Sequence, residues 1–201
     1  MLFQILSLLL DVAASLVGGA CLLRLYMQWQ RVPFGNPLGR FVFAVSNWLV
    51  LPLRRLLPAL GRLDTASLVG AWAVELVQLA ALWAVSGALG GALGMHLGGA
   101  AVGGLVTGPA WALLPVLAMF GLARLALSSM TALILLGAIL SWVRADSDMA
   151  DLVERLCVPL LAPLRRVIPL VGGLDLTPVA MLVLLQIAGI VLSGLQVAVL
   201  G

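Results

Sequence analysis

Charge is what this chain has least of. Only 9% of its 201 residues are charged, while 63% are hydrophobic and the mean hydropathy is +1.20. A soluble domain keeps roughly 25% of its residues charged, because a solvated surface needs them. That shortage excludes an ordinary soluble domain and leaves lipid as the main surroundings. Lysine is absent, so all 11 basic residues are arginine. The net charge of +3 is no nucleic-acid footprint, since the arginines stand in short loops beside apolar runs without interleaved aromatics. Histidine occurs once, at His96, and a lone loop histidine is normally just solvated. Cysteine occurs twice, at Cys21 and Cys157, outside any C-x-x-C or Cys/His constellation. No Ser/His/Asp set and no phosphate-cradling glycine loop is present either. The expectation is a protein with no cofactor, no metal and no catalytic centre.

What the chain has instead is long apolar runs. Four can be counted, at about 2–28, 66–89, 111–143 and 177–200. Each reaches the roughly 20 residues a helix needs to cross the hydrocarbon. The third contains Pro115 and Arg124 and is long enough for its first turns to tilt or to lie along the interface. Splitting it in two would leave Arg124 in a very short turn. The stretch "VGGAC" ending at Cys21 loosely resembles a lipoprotein cleavage site. No basic residue precedes it and the apolar run continues through Leu22, Leu23 and Leu25, so 2–28 reads as a permanent span. Between the second and third runs lies a Gly-rich loop from Gly87 to Gly108.

A repeat organises these runs. "PLRRLLPALGRLD" (Pro52 to Asp64) returns as "PLRRVIPLVGGLD" (Pro163 to Asp175), and each copy stands just before an apolar run. Upstream, "QWQR" (Gln28 to Arg31) ends the first run and "SWVR" (Ser141 to Arg144) ends the third. Amphipathic segments join these landmarks. Asn36-Pro37 reads as an N-cap with proline at the first helical position. Leu38, Phe41, Val42, Val45, Trp48, Leu49 and Pro52 then share one helical face. In the second copy Asp146, Ser147 and Asp148 can start the helix. Met149, Leu152, Val153, Leu156 and Leu160 share one face, and Asp151, Glu154 and Arg155 the other. Both segments suit helices lying in the headgroup plane.

The expected fold is therefore an all-α membrane protein of four transmembrane helices in two tandem parallel repeats. Each repeat carries an interfacial amphipathic helix and a basic hairpin. Residues 1–89 form the first repeat, 90–110 an extracytoplasmic Gly-rich loop and 111–201 the second repeat. Arg31, Arg40, Arg54, Arg55 and Arg62 fill the loop after the first span, and Arg144, Arg155, Arg165 and Arg166 the loop after the third. The Gly-rich loop has no basic residue, so both termini are expected outside and both hairpins in the cytoplasm.

The segments "LRLYMQWQRVPFGNPLGRFV", "PLRRLLPALGRLDTASLV", "SWVR" and "PLRRVIPLVGGLDLTPV" resemble the two halves of the YGGT (YlmG) family of small integral membrane proteins. The one departure is Trp48, where the second copy has Pro159. The resemblance implies a multi-pass bacterial inner-membrane protein without established enzymatic activity. It also implies association with osmotic stress, with cell division or nucleoid distribution, or with assembly of membrane complexes such as plastid cytochromes.

Two sets of candidate residues follow. Arg54, Arg55, Arg165 and Arg166 read either as snorkelled anchors or as contacts for lipid phosphate or a partner. Asp64 and Asp175 read as N-caps of the following spans, as partners of the hairpin arginines, or both. Inside the spans stand Asp11, Glu75, Gln78, Arg124 and Gln186, with Gln186 the repeat counterpart of Glu75. They read as a polar strip facing the bundle interior or as an ion path. Asp11 and Arg124 are expected to pair, because aligning Trp29 with Trp142 makes them counterparts at similar depth. The functional expectation is a non-enzymatic scaffold or assembly factor acting through its hairpins on the bilayer, on anionic headgroups, on a membrane-protein partner or on a further copy of itself. The alternative is a small ion transporter or channel using the intramembrane polar residues.

Overall fold

The computed structural model describes residues 2–57, 64–88, 113–143, 148–166 and 175–200. Every regular element among them is a helix: α1 (Leu2–Trp29), α2 (Pro37–Leu56), α3 (Thr65–Ala88), α4 (Leu114–Val143), α5 (Asp148–Arg165) and α6 (Thr177–Leu200). The Gly-rich loop from residue 89 onward, His96, Arg62 and Arg144 lie outside the described residues, as do the first two residues of the expected cap at 146–148; Gly87 and Ala88 belong to the end of α3.

Four helices, α1, α3, α4 and α6, are long and apolar enough to cross a membrane. At 1.5 Å per residue, the 24 residues of α3 and of α6 span about 36 Å, against a hydrocarbon core of about 30 Å. The 30 residues of α4 form one continuous helix through Pro115 and Arg124, so the third run is not split at the arginine. Pro115 is tolerated because it falls in the first turn, where an N–H has no helical partner to lose. Most of these helices' surface is uncovered and apolar; Ile190 is 72% exposed and Val199 64%. In water such continuous exposure would drive aggregation, whereas in lipid it is the expected state.

The spans pack in the order α1, α3, α4, α6, and α1 also touches α4. Between α1 and α2 the chain reverses sharply. Arg31 adopts a left-handed backbone (φ 55°), its N–H donates to the Gln28 carbonyl, and the Val32 N–H donates to that of Met27. This is a Schellman closure, and Met27 and Val32 supply the apolar contact that accompanies one. α2 then starts as the sequence predicts, with the Asn36 side chain accepting from the Gly39 N–H at 2.7 Å.

α2 packs on the rest of the protein through a side that shares only Val42 with the apolar face read from its sequence. Gly39, Val42, Ser46 and Val50 are buried, while Phe41, Trp48 and Pro52 are exposed. That side faces inward because Arg24 of α1 draws Ser46 and Asn47 toward it. α5 buries Leu152, Val153, Leu156, Cys157 and Leu161 and exposes Asp151, Glu154 and Arg155. Its cluster reaches across the chain to Met27, Val32 and Val42 and to Leu133 of α4. A second cluster of Cys21, Val50, Ala66 and Ala71 with Leu122 fixes α1, α2 and α3 to α4.

Candidate functional site

Two copies of one polar arrangement stand at the starts of α3 and α6. Asp64 precedes α3 and is 1% exposed. Its carboxylate accepts from the Ser67 hydroxyl at 2.8 Å and from the Ser67 N–H, and the second bond caps the helix. The same carboxylate is hydrogen-bonded and ion-paired by Arg54. Burial alone would raise the Asp64 carboxyl, but the hydrogen bonds from Arg54 and Ser67, with the Arg54 charge, hold it below the usual carboxylate value. Asp175 repeats the pattern in a more open setting. It accepts from the Thr177 N–H at 2.9 Å and from the Thr177 hydroxyl, and pairs with Arg165 at 3.1 Å. Burial raises its carboxyl, and the Thr177 bonds and Arg165 together outweigh that and lower it.

The paired arginines of each hairpin do different things. Arg54 and Arg165 turn back onto the aspartates. Arg55 and Arg166 are exposed and make no hydrogen bond or ion pair among the described residues. Each copy therefore has one arginine paired with its aspartate and one that is exposed, while residues 58–63 and 167–174 of the hairpins lie outside the described residues.

The first copy contains a residue that the sequence reading passed over. Arg24, well inside the apolar run of α1, is 3% exposed. One of its terminal nitrogens donates to Ser46 Oγ at 3.1 Å and to Asn47 Oδ1 at 2.8 Å. Its Nε stands 3.8 Å from Asp64 Oδ2 and has no hydrogen-bond partner. The Phe43 ring covers the guanidinium at 4.6 Å from the ring centroid. Arg24 and Asp64 thus lock α1, α2 and α3 together through a desolvated charge pair. At the corresponding place in the second half stands Gly137, where an added Cβ would come within 2.9 Å of Cys157 Sγ. Burial pushes the Cys157 thiol up to about 11, against the opposing charge of Arg165. The available signal for Arg24 was its position: an ionisable group more than a turn inside a span needs a partner.

The intramembrane residues do not form the expected Asp11–Arg124 pair. Asp11 accepts a hydrogen bond from Gln78 of α3. Arg124 donates to Gln196 of α6 at 2.8 Å, and Gln196 is buried. The reason is register. Arg24 meets Asp64, so the last turns of α1 run beyond the start of α3, and Asp11 comes level with Gln78. α4 packs on α1 with Leu125 against Gly18, which sets Arg124 about 10 Å deeper than Asp11. Glu75 packs against Gly121, with Arg124 and Asp11 as the charges acting on it. Gln186 is exposed, so the expected interior strip does not extend to it. These polar groups stitch neighbouring spans pair by pair. Among the described residues, no group of three or more His, Cys, Asp or Glu could hold a metal ion. A half-open groove of about 390 Å³ lies between α1, α4 and α5, bordered by Leu23, Tyr26, Met130, Leu133 and Leu160. Its lining is nearly all hydrocarbon.

Four helices long and apolar enough to cross a membrane, two of them started by an Arg–Asp pair, suit a small helical protein of the multi-span membrane class. The chain belongs to the CCB3/YggT family, matching it over residues 3–85 and 116–196. An uncharacterised Escherichia coli K12 protein, YggT, is 33% identical over 187 residues, covering 90% of this chain and 86% of that one. An uncharacterised Pseudomonas aeruginosa protein is 34% identical over 190 residues, covering 93% and 88%. An uncharacterised Vibrio alginolyticus protein is 28% identical over 191 residues, covering 94% of each. No solved structure matches the chain.

Proposed function

We propose that this protein is a non-enzymatic scaffold of the bacterial cytoplasmic membrane that grips anionic lipid phosphates at two duplicated hairpins. It would serve a membrane-bound process of the kind its resemblance implies, such as osmotic tolerance, division or complex assembly. In this reading the chain is two tandem parallel repeats with α2 and α5 at the cytoplasmic interface and both termini outside. The matching buried positions of α2 and α5 support the repeat: Val42 with Val153, Ser46 with Cys157, Val50 with Leu161. The one-sided placement of arginine supports the orientation. A reporter fused after Gly201 should behave as extracytoplasmic.

The division of labour between adjacent arginines carries the reading. Arg54 and Arg165 are already neutralised by Asp64 and Asp175, whereas Arg55 and Arg166 stand exposed beside the spans. A guanidinium there meets phosphate in bidentate geometry, and anionic lipids enrich the inner leaflet. In nanodiscs of mixed phosphatidylglycerol and phosphatidylcholine, the wild-type chain should retain phosphatidylglycerol selectively. Arg55→Gln with Arg166→Gln should weaken that selectivity by about fivefold per site, equivalent to about 1 kcal/mol each. Unchanged selectivity would overturn the lipid reading. Loss of a captured protein partner, with lipid selectivity kept, would transfer the same arginines to protein recognition.

A further inference from the structure

We infer that a second copy of this chain docks against the outer face of α2, through the end of its α4 helix. The inference rests on the tandem-repeat reading above and starts from a contact made inside the chain. The cytoplasmic end of α1 packs on α5. Tyr26 donates to the Leu156 carbonyl at 2.8 Å, and Met27, with Leu23 and Tyr26 beside it, shares one core with Leu152, Val153 and Leu156. The first repeat thus offers its span end and the second offers its short helix.

Each repeat also owns the complementary half of that contact. Val42 and Leu140, the counterparts of Val153 and Met27, join the same core, while the rest of those halves is uncovered. The counterparts of Leu23 and Tyr26 on α4 are Leu136 and Ile139, which are 40% and 57% exposed. The counterpart of Leu152 on α2 is Phe41. Leu152 is 6% exposed and Phe41 52%. Val45, counterpart of the buried Leu156, is only partly covered. Trp48 and Leu51 extend the same open face at 65% and 52%. The outer face of α5 is different, since Asp151, Glu154 and Arg155 suit it to water. Two faces therefore carry the residue types of a contact that is made once within the chain and left unmade once. Bringing α4 of one copy onto α2 of another repeats the same packing. The contact is heterologous, unlike patches meeting head to tail, and propagates until the copies close into a ring.

The test is cysteine cross-linking in native membranes. The wild-type Cys21 and Cys157 are buried, so they stay in place as silent background. Co-expressed Phe41→Cys and Ile139→Cys chains should form an oxidised product of about twice the 21.0 kDa chain mass. Neither variant should do so alone, nor should Ile190→Cys on the open face of α6. A chain carrying Leu23→Cys and Leu160→Cys reports separately on the contact inside one copy. If that internal cross-link fails to form, the α1–α5 packing from which this inference starts is wrong, while the repeat reading, which rests on the sequence and the matching faces of α2 and α5, stands. If it forms while Phe41→Cys and Ile139→Cys give no product, lipid covers α2 and the second-copy inference falls. Product from Phe41→Cys alone would also overturn it, because like faces would then be meeting.

Discussion

Arg24 and Asp64 tie the three helices of the first half together. A buried charge left without its partner costs about 3–5 kcal/mol, much more than an exposed ion pair contributes. Asp64→Ala should therefore strongly lower the amount of folded protein, because it strands Arg24 inside the α1–α2–α3 junction. Adding Arg24→Leu should recover much of the loss in a detergent-solubilised melting assay; purely additive losses would mean that the pair is not coupled. The pH dependence has a defined sign. The folded Asp64 carboxyl sits below its ordinary value, so its stabilisation is complete above the unfolded value of about 3.9. It is lost as the pH falls through the lower folded value. Melting temperatures measured from pH 6 downward should hold until about pH 4 and then drop, with a shallower drop in Asp64→Asn. Asp175→Asn should change the profile less, because that carboxylate is 33% exposed and its pairing is screened.

At the scale of helices, glycine marks where the spans approach. A Cβ on Gly18 of α1 would lie 2.6 Å from the end of Leu125, while Gly189 and Gly194 of α6 have nothing within 4 Å. Gly18→Leu should separate α1 from α4 and reduce thermal stability by several degrees. Gly194→Ala should be neutral or stabilise by up to about 1 kcal/mol, since it removes only the backbone freedom of a helical glycine. Equal effects at the two positions would argue against the α1–α4 contact. The elements themselves were legible because period and length suffice for them. Runs of apolar residues set the four spans, Asn36-Pro37 set the start of α2, and the faces of α5 followed from its charged residues. The buried face of α2 was not legible, because an arginine on another helix decides it. A periodicity count finds the apolar face of Phe41 and Trp48 but has no means of knowing that a different side, with Ser46 and Asn47 as acceptors for Arg24, meets the other helices.

At the scale of the whole molecule, register escaped the sequence. The Arg–Asp closures could be read locally, since ten residues separate Arg54 from Asp64 and Arg165 from Asp175. The Asp11–Arg124 expectation failed because aligning two repeats says which residues are counterparts, not which are neighbours. Packing slides α4 along α1, and each charge meets an amide on a different helix instead. The Arg24 junction also bears on how the protein is made. Translation delivers Arg24 to the membrane about forty residues ahead of Asp64. During that interval the first span carries an arginine without its counter-ion, and such a segment is poorly retained in hydrocarbon. Its commitment to the bilayer should therefore wait for the second span to emerge. Truncated chains released after Leu57 should remain extractable from the membrane, those released after Ala88 should not, and Arg24→Leu should abolish the difference.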